Sequence, residues 1–184
     1  MIENDANFKN FVKQHSNPDE KQFITKGKHL YEIGKSIGGI YFCEPSGSGI
    51  VRAYTLDKET GNEITNKFFS ENDIIVPFIS LVDDVPSIIN FQVIEDGWFS
   101  FIPIENWKIF EKQEPDLAMG ILCKMAVDTS RRSYEYQLNN TRNTLARYRT
   151  LRKKYPYLER VPDEYIASYL GVTRRTIVDI KPKL

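Results

Sequence analysis

The 184-residue sequence predicts an α+β fold, in which an antiparallel β structure is followed by helices. Three observations support this division. Short β-rich runs alternate with turn signals between about residues 21 and 110, and the hydrophobic period becomes helical near Pro115. Basic residues then concentrate after Ser130. With 41% hydrophobic and 12% aromatic residues, the chain can bury a substantial core.

The β-rich runs are separated by short polar or glycine-containing segments. IYF is followed by EPSGSG, IVRAYTL by DKETGN, EITNKFF by SEND, and SIINFQVI by EDG before WFSFIPI. This spacing, without a long helical period, is typical of an antiparallel sandwich or barrel. We expect the hairpin turn between the second and third runs at Glu59 to Asn62.

A helix with one apolar stripe is predicted from Pro115, which suits a first helical turn and is followed by Asp116. The stripe consists of Leu117, Ala118, Ile121, Leu122, Met125, Ala126 and Thr129. It could pack on its own β structure or pair with the same helix of a second copy, and the pattern leaves both open. A second, basic helix is expected from Thr144 to Tyr155, after a hinge at Asn139 to Asn143.

The charge is unevenly divided, although the formal net charge is zero. Residues 1–129 contain 12 basic and 20 acidic residues, a net charge of −8, and residues 130–184 contain 13 and 5, a net charge of +8. A short basic segment of this density is either ordinary solvated surface or the footprint of a nucleic-acid-binding region. The longest apolar runs, such as residues 74–82, are too short for a membrane helix, so we expect a cytoplasmic protein without membrane contact.

The stretch VPDEYIASYLGVTRRTIV predicts two short helices joined by a tight turn. Pro162 and two acidic residues suit the start of the first helix, and Gly171 suits its end because glycine readily adopts a left-handed backbone. Ala167 allows the second helix to approach closely, and Thr173 can cap that helix. These features are typical of a helix-turn-helix, with a helical hairpin that has no role in DNA binding as the alternative. The second helix would direct outward Arg174, Arg175 and Val178, and inward Ile177 and Ile180.

One segment of the sequence resembles a known protein family closely enough to be specific. The segment LARYRTLRKKYPYLERVPDEYIASYLGVTRRTI, Leu145 to Ile177, resembles the C-terminal region of Crp/Fnr-type transcription regulators. The resemblance implies a cyclic-nucleotide-binding-like jelly-roll sensor barrel at residues 1–114, a dimerisation helix at 115–139 and a helix-turn-helix domain at 140–184. It also implies two partners, double-stranded DNA and a second copy of the chain.

The resemblance assigns candidate residues to both partners. The residues expected to contact DNA are Thr173, Arg174, Arg175, Thr176, Val178 and Lys153. The residues expected to form the homodimer interface are Leu117, Ile121, Leu122 and Met125. The recognition helix departs from the common family pattern, because Arg175 replaces an acidic residue and Asp179 replaces an arginine. The target sequence therefore cannot be inferred from relatives.

The predicted sensor barrel also departs from the family pattern for cyclic nucleotides. Val76 and Pro77 occupy the approximate positions of a Gly-Glu pair, and Ser87 and Ile88 stand where a phosphate-binding arginine would be. The chain contains no Lys or Arg between Lys67 and Lys108. Burying a phosphodiester without a cation is unfavourable, so we expect no cyclic nucleotide. A pocket for a small neutral or apolar ligand would involve Arg52, Asn72, Asp73, Val76, Pro77 and Ser87.

The sequence gives little support for a bound cofactor or metal. Cys43 and Cys123 cannot form a four-thiolate cluster, and both are expected to be buried. His15 and His29 lie near the N-terminus and are expected at or near the surface. We therefore expect no cofactor, no metal and no enzymatic activity. The sequence predicts a DNA-binding transcription regulator. The alternative is a regulator-derived small-molecule sensor or protein-docking module that has lost specific DNA binding.

Overall fold

The structure is a computed structural model that describes residues 21–45, 49–139 and 143–183. Within these ranges it contains eight strands and six α-helices, so the predicted α+β class is confirmed. The strands are β1 Gln22–Ile24, β2 His29–Tyr31, β3 Gly39–Cys43, β4 Ile50–Leu56, β5 Glu63–Phe69, β6 Ile74–Ile75, β7 Asn90–Glu95 and β8 Gly97–Pro103. The helices are α1 Phe78–Asp83, α2 Ile104–Gln113, α3 Pro115–Asn139, α4 Thr144–Lys154, α5 Asp163–Leu170 and α6 Arg174–Ile180.

The strands form two antiparallel sheets of four strands each. The order in the first sheet is β1-β8-β3-β6, and the order in the second is β2-β7-β4-β5. The tight hairpin between β4 and β5 is closed by Asp57, whose Oδ1 accepts hydrogen bonds from the backbone N–H of Glu59 at 3.1 Å and of Thr60 at 2.7 Å. Gly61 has a φ of 70°, which glycine adopts without strain. The turn predicted at Glu59 to Asn62 is therefore confirmed.

The main hydrophobic core lies between the two sheets and continues under α2 and α3. Alternate residues of a strand point to opposite faces, and in β4 it is Val51 and Ala53 that enter this core. Trp107 and Phe110 of α2 and the first turns of α3 cover it. We call the β-strands together with α1 to α3 the two-sheet unit.

A second core lies among the C-terminal helices, residues 143–183, which we call the helical unit. Its fully buried members include Tyr148, Leu158, Ile166 and Ile177. Three buried residues of the second sheet belong to the same cluster: Ile50, Phe68 and Ile94. The helical unit therefore packs against the outer face of that sheet.

Several local predictions can be compared with these elements. The helix expected from Pro115 is α3 and the basic helix is α4, and both are confirmed. The predicted hinge falls largely on residues 140–142, outside the described residues, as does His15. His29 is exposed, and its Nε2 lies 2.9 Å from the Tyr54 hydroxyl. No helix among the described residues combines the length and apolar character needed to cross a membrane.

The two cysteines differ in their environment. Cys43 is fully buried in β3, where burial raises the pKa of its thiol to about 12. Cys123 is exposed on α3, so the prediction that it is buried was wrong. Free cysteine is usually buried, but here the side chain falls on the exposed face of the helix. Among the described residues, no three His, Cys, Asp or Glu side chains cluster in a way that could hold a metal ion.

Candidate nucleic-acid interface

The turn between α5 and α6 is closed by backbone hydrogen bonds around a left-handed glycine. Gly171 has a φ of 63° and its N–H donates to the Ser168 carbonyl oxygen at 3.2 Å. The Val172 N–H donates to the Ala167 carbonyl oxygen at 3.0 Å. This pair of bonds is the Schellman arrangement, which satisfies carbonyl groups that the end of a helix leaves free. Gly171 is therefore required by the backbone conformation of the turn, as the sequence predicted.

The contact between α5 and α6 is made by small and branched apolar side chains. Ala167 is 3% exposed and lies in the same cluster as Leu170 and Ile177. A larger side chain at position 167 would separate the two helices, because protein interiors are packed without spare volume. The predicted inward positions Ile177 and Ile180 are both buried, which confirms the predicted orientation of α6.

The start of α6 is capped by Thr173. Its Oγ1 accepts a hydrogen bond from the Thr176 N–H at 3.2 Å and lies 2.9 Å from the Thr176 hydroxyl. Such a cap satisfies one of the free N–H groups of the first turn. Arg174 and Arg175 follow directly and are exposed, Thr176 is half-buried, and Val178 is 50% exposed. The start of α6 therefore exposes the cations of Arg174 and Arg175 and, one turn later, the apolar side chain of Val178.

The last turn of the chain is tied to the start of α5. The Lys181 Nζ forms an ion pair with the Asp163 carboxylate, and both side chains are partly buried. Burial acts to lower the pKa of Lys181, but the hydrogen bond with Asp163 and the nearby Tyr148, Asp163 and Glu159 charges together outweigh it, and the pKa is raised. This ion pair keeps α6 closely packed beside α5, with Asp179 exposed between Val178 and Ile180.

The remaining predicted DNA contact, Lys153, lies apart from α6 on α4. Lys153 is exposed, as is Arg149 on the same helix. Arg152 is engaged locally, because its guanidinium is 3.0 Å from the carboxylate of Glu159. The structure thus separates the predicted DNA contacts into a compact set at the start of α6 and a basic surface on α4.

The residues predicted to line a ligand pocket divide into two groups. Asn72 and Asp73 form a turn in which the Asn72 N–H donates to the Cys43 carbonyl oxygen and Asp73 Oδ2 accepts from the Ser70 N–H, each at 2.9 Å. Val76 and Pro77 follow at the start of α1 and are buried. Ser87 is also buried, and its hydroxyl donates to the Ile89 carbonyl oxygen at 2.7 Å. These contacts are internal to the two-sheet unit.

Arg52 does not lie with that group. It is on the face of β4 opposite to Val51 and Ala53, which places it between the second sheet and the helical unit. Its guanidinium contacts Gln92, Glu63 and the aromatic rings of Tyr54 and Tyr165. The sequence could not indicate these partners, because Tyr165 belongs to α5.

The predicted dimer residues lie mainly against the two-sheet unit of their own chain. Ile121 and Met125 are each 8% exposed within the main core, and Leu117 and Leu122 are partly buried against it. The structure therefore favours the alternative left open by the pattern, in which this stripe packs on its own β structure. A different face of α3 is exposed, and its apolar residues follow a four-residue step: Met119, Cys123 and Val127.

Comparison with solved structures finds this fold in bacterial transcription regulators. FixK2 from Bradyrhizobium japonicum has a TM-score of 0.71 and 17% identity, over 89% of this chain and 83% of that chain. CLP from Xanthomonas campestris, described as a c-di-GMP-responsive global regulator, has a TM-score of 0.69 and 16% identity, over 96% and 89% of the two chains. A regulator of the Crp/Fnr family from Eubacterium rectale has a TM-score of 0.67 and 20% identity, over 96% and 81%.

At these identities the likeness establishes a shared fold. The chain therefore has the fold of Crp/Fnr regulators, and the resemblance predicted from Leu145 to Ile177 is confirmed at that level. No protein-family model matches the chain, and no curated protein matches it.

Proposed function

We propose that the protein is a DNA-binding transcription regulator of Crp/Fnr type that acts as a homodimer and does not respond to a cyclic nucleotide. In this proposal the strands with α1 and α2 form the jelly-roll sensor barrel, α3 is the dimerisation helix, and α5 and α6 form the helix-turn-helix. The observation that carries the proposal is the capped first turn of α6, which presents Arg174 and Arg175 outward from a tightly packed helix pair.

The residues on α6 suit the reading of bases in the major groove. In a helix-turn-helix the N-terminal residues of the second helix contact base edges, and an arginine can donate two hydrogen bonds to a guanine. Arg174, Arg175 and Thr176 are placed for this role, and Val178 can contact a thymine methyl group. Lys153 on α4 is placed for sequence-independent contact with phosphate, which contributes affinity rather than specificity.

Dimerisation is assigned to the exposed apolar face of α3. Charged surface would be expected on a helix that remains in water, yet Met119 and Val127 are 59% and 54% exposed. A second copy of α3 packed on this face would bury both residues, while Ile121 and Met125 remain in the core of their own subunit. Two recognition helices in such a dimer would contact half-sites about 34 Å apart.

The absence of a cyclic-nucleotide response rests on what fills the space between the sheets. Phe91 is buried in the main core, with ring centroids 5.3 Å from Tyr31 and 5.6 Å from Phe69. The Tyr31 hydroxyl is 2.6 Å from the Gly39 carbonyl oxygen and 3.0 Å from that of Ile75. Arg52 faces away from this space, and the Lys67 ammonium is engaged with an aromatic ring, its Nζ lying 3.6 Å from the centroid of Phe69.

The experiment that tests DNA binding is selection from a random double-stranded library, followed by titration of the enriched sequences at several salt concentrations. We expect a two-half-site operator and a log affinity that falls steeply with log salt concentration. A folded protein that enriches no sequence and binds no DNA at low salt would favour the alternative, a sensor or docking module without DNA binding.

Calorimetry tests the sensor assignment separately. Titration with cyclic AMP and with cyclic GMP should give no binding heat, whereas micromolar affinity for either nucleotide would contradict this part of the proposal. A small neutral or apolar ligand near Asn72, Val76 and Ser87 is compatible with it.

A further inference from the structure

The helical unit covers an open edge of the second sheet. β5 is the last strand in the order β2-β7-β4-β5, so its outer backbone groups have no neighbouring strand within residues 21–45, 49–139 and 143–183. Ser168 on α5 satisfies two of them: the Thr65 N–H donates to Ser168 Oγ at 2.9 Å, and this hydroxyl donates to the Glu63 carbonyl oxygen at 2.7 Å. One serine side chain therefore satisfies two backbone groups that a neighbouring strand would otherwise satisfy. Backbone groups left exposed at a sheet edge are open to pairing with another chain.

Arg52 links the sheet to the same helix. Its guanidinium carbon lies 3.8 Å from the ring centroid of Tyr165 on α5 and 4.2 Å from that of Tyr54 on β4. The guanidinium also donates to Gln92 Oε1 at 2.7 Å and forms an ion pair with Glu63. Because Arg52 is only 2% exposed, its cation–π contacts act with little screening by water.

A shared hydrophobic core supports these polar contacts. Phe68 of β5 is fully buried, with ring centroids 5.7 Å from both Tyr155 and Tyr169 of the helical unit. Ile50 of β4 and Ile94 of β7 are buried in the same cluster. At the margin, the Arg160 guanidinium is 2.6 Å from the Glu95 carboxylate. Separating the two units would expose all of this surface at once.

The docked arrangement leaves the candidate DNA contacts exposed. Tyr165, Ser168 and Tyr169 of α5 meet the sheet, whereas Arg174 and Arg175 at the start of α6 remain exposed. Docking and DNA contact therefore use different surfaces of the helical unit.

We propose that Arg52, Tyr165 and Ser168 form an interdomain latch that keeps the helical unit docked on β5, both in the free protein and on DNA. DNA binding then requires no effector-driven reorientation, because the latch already fixes the recognition helix relative to the two-sheet unit. The role on DNA rests on the proposed function, whereas docking in the free protein does not.

The Thr65 amide is a direct reporter of the latch, because its partner is on α5. Hydrogen exchange measured by NMR should show this amide protected in the free wild-type protein and equally protected in the operator complex. The buried Val93 amide, which donates to the Lys28 carbonyl oxygen at 2.8 Å, reports on the two-sheet unit alone. Ser168→Ala should accelerate exchange at Thr65 and leave exchange at Val93 unchanged.

Tyr165 offers a matched pair of variants. Tyr165→Phe keeps the ring that faces Arg52 and should behave as wild type, whereas Tyr165→Leu removes it. If the leucine variant lowers the docked fraction to a tenth, its apparent Kd for a two-half-site operator should rise about tenfold, because only the docked fraction is competent. Its affinity for a single half-site should stay unchanged, since the residues of α6 are intact.

Each result of the exchange and binding experiments supports or refutes a stated part of the proposal. Rapid exchange at Thr65 in the free protein would refute the latch, whether or not DNA binds. Protection that is lost on operator binding, or tighter operator binding by Tyr165→Leu, would show that docking opposes DNA binding and overturn the inference. Protection in a protein that binds no DNA would refute the proposed function and the DNA part of this inference, and would uphold docking.

Discussion

Replacing Phe68 with alanine tests whether the two units share one core. Phe68 belongs to a strand, yet its ring is completely buried against Tyr155 and Tyr169 of the helical unit. Truncation of a buried phenylalanine costs about 3–5 kcal/mol through lost burial and the cavity that remains. We expect Phe68→Ala to fall within this range, although the residue lies at an edge strand.

The assay is chemical and thermal unfolding, followed by circular dichroism and by tyrosine fluorescence. For a chain of this length each kcal/mol corresponds to about 2–4 °C, so the melting temperature should fall by roughly 10 °C. Ile64→Ala is the matched control, because Ile64 lies on the same strand and is 39% exposed. It should change stability by no more than about 0.5–1 kcal/mol.

Two results would refute the shared core. A cost for Phe68→Ala no greater than that of Ile64→Ala would show that the ring is not packed as described. A separate early transition of the helical unit in the wild-type protein, with the two-sheet unit unaffected, would show that the units unfold independently.

Three further predictions concern the two-sheet unit. Gly39→Ala should destabilise the protein by about 1–3 kcal/mol in the unfolding assay, because a Cβ there would lie 2.1 Å from a backbone carbonyl oxygen. Gly38→Ala should be tolerated in the same assay, because the nearest atom to its Cβ would be 3.7 Å away. Burial raises the pKa of Tyr31 well above 10.0, so the free energy of unfolding should decline as the pH rises above about 10. Urea unfolding at several pH values should show a shallower decline for Tyr31→Phe. Met119→Glu should yield a folded monomer in light scattering, whereas Ile121→Glu should unfold the protein; a folded monomer from Ile121→Glu alone would return the dimer interface to the inner stripe.

The features predicted correctly from sequence depend on local chemistry. Gly171 ends α5 because the turn needs a left-handed backbone, and Thr173 caps α6 through a hydroxyl three residues from its partner. The hairpin closed by Asp57 is equally local. Such contacts lie within a few residues of one another, so the sequence contains both partners side by side.

The features that were missed depend on which surfaces meet in the fold. A helical period identifies the stripe that contains Ile121 and Met125, but the same pattern serves a subunit core and a dimer interface equally well. Arg52 was assigned to a pocket because it is a cation near the expected ligand site. Its partner Tyr165 is on α5. The alternation of side chains along a strand does not show which face of the strand contacts a distant helix.

The central claim is that α6 reads DNA, and operator titration with Arg175→Ala and Lys153→Ala tests it most directly. On the selected operator, Arg175→Ala should cost about 1–3 kcal/mol and relax the preference at one base pair per half-site. Lys153→Ala should weaken binding to all sequences alike. It should also reduce by about one the slope of log affinity against log salt concentration. If Arg175→Ala binds the operator and its single-base variants as wild type does, while both proteins remain folded dimers, α6 does not read the sequence at this position and the account is contradicted.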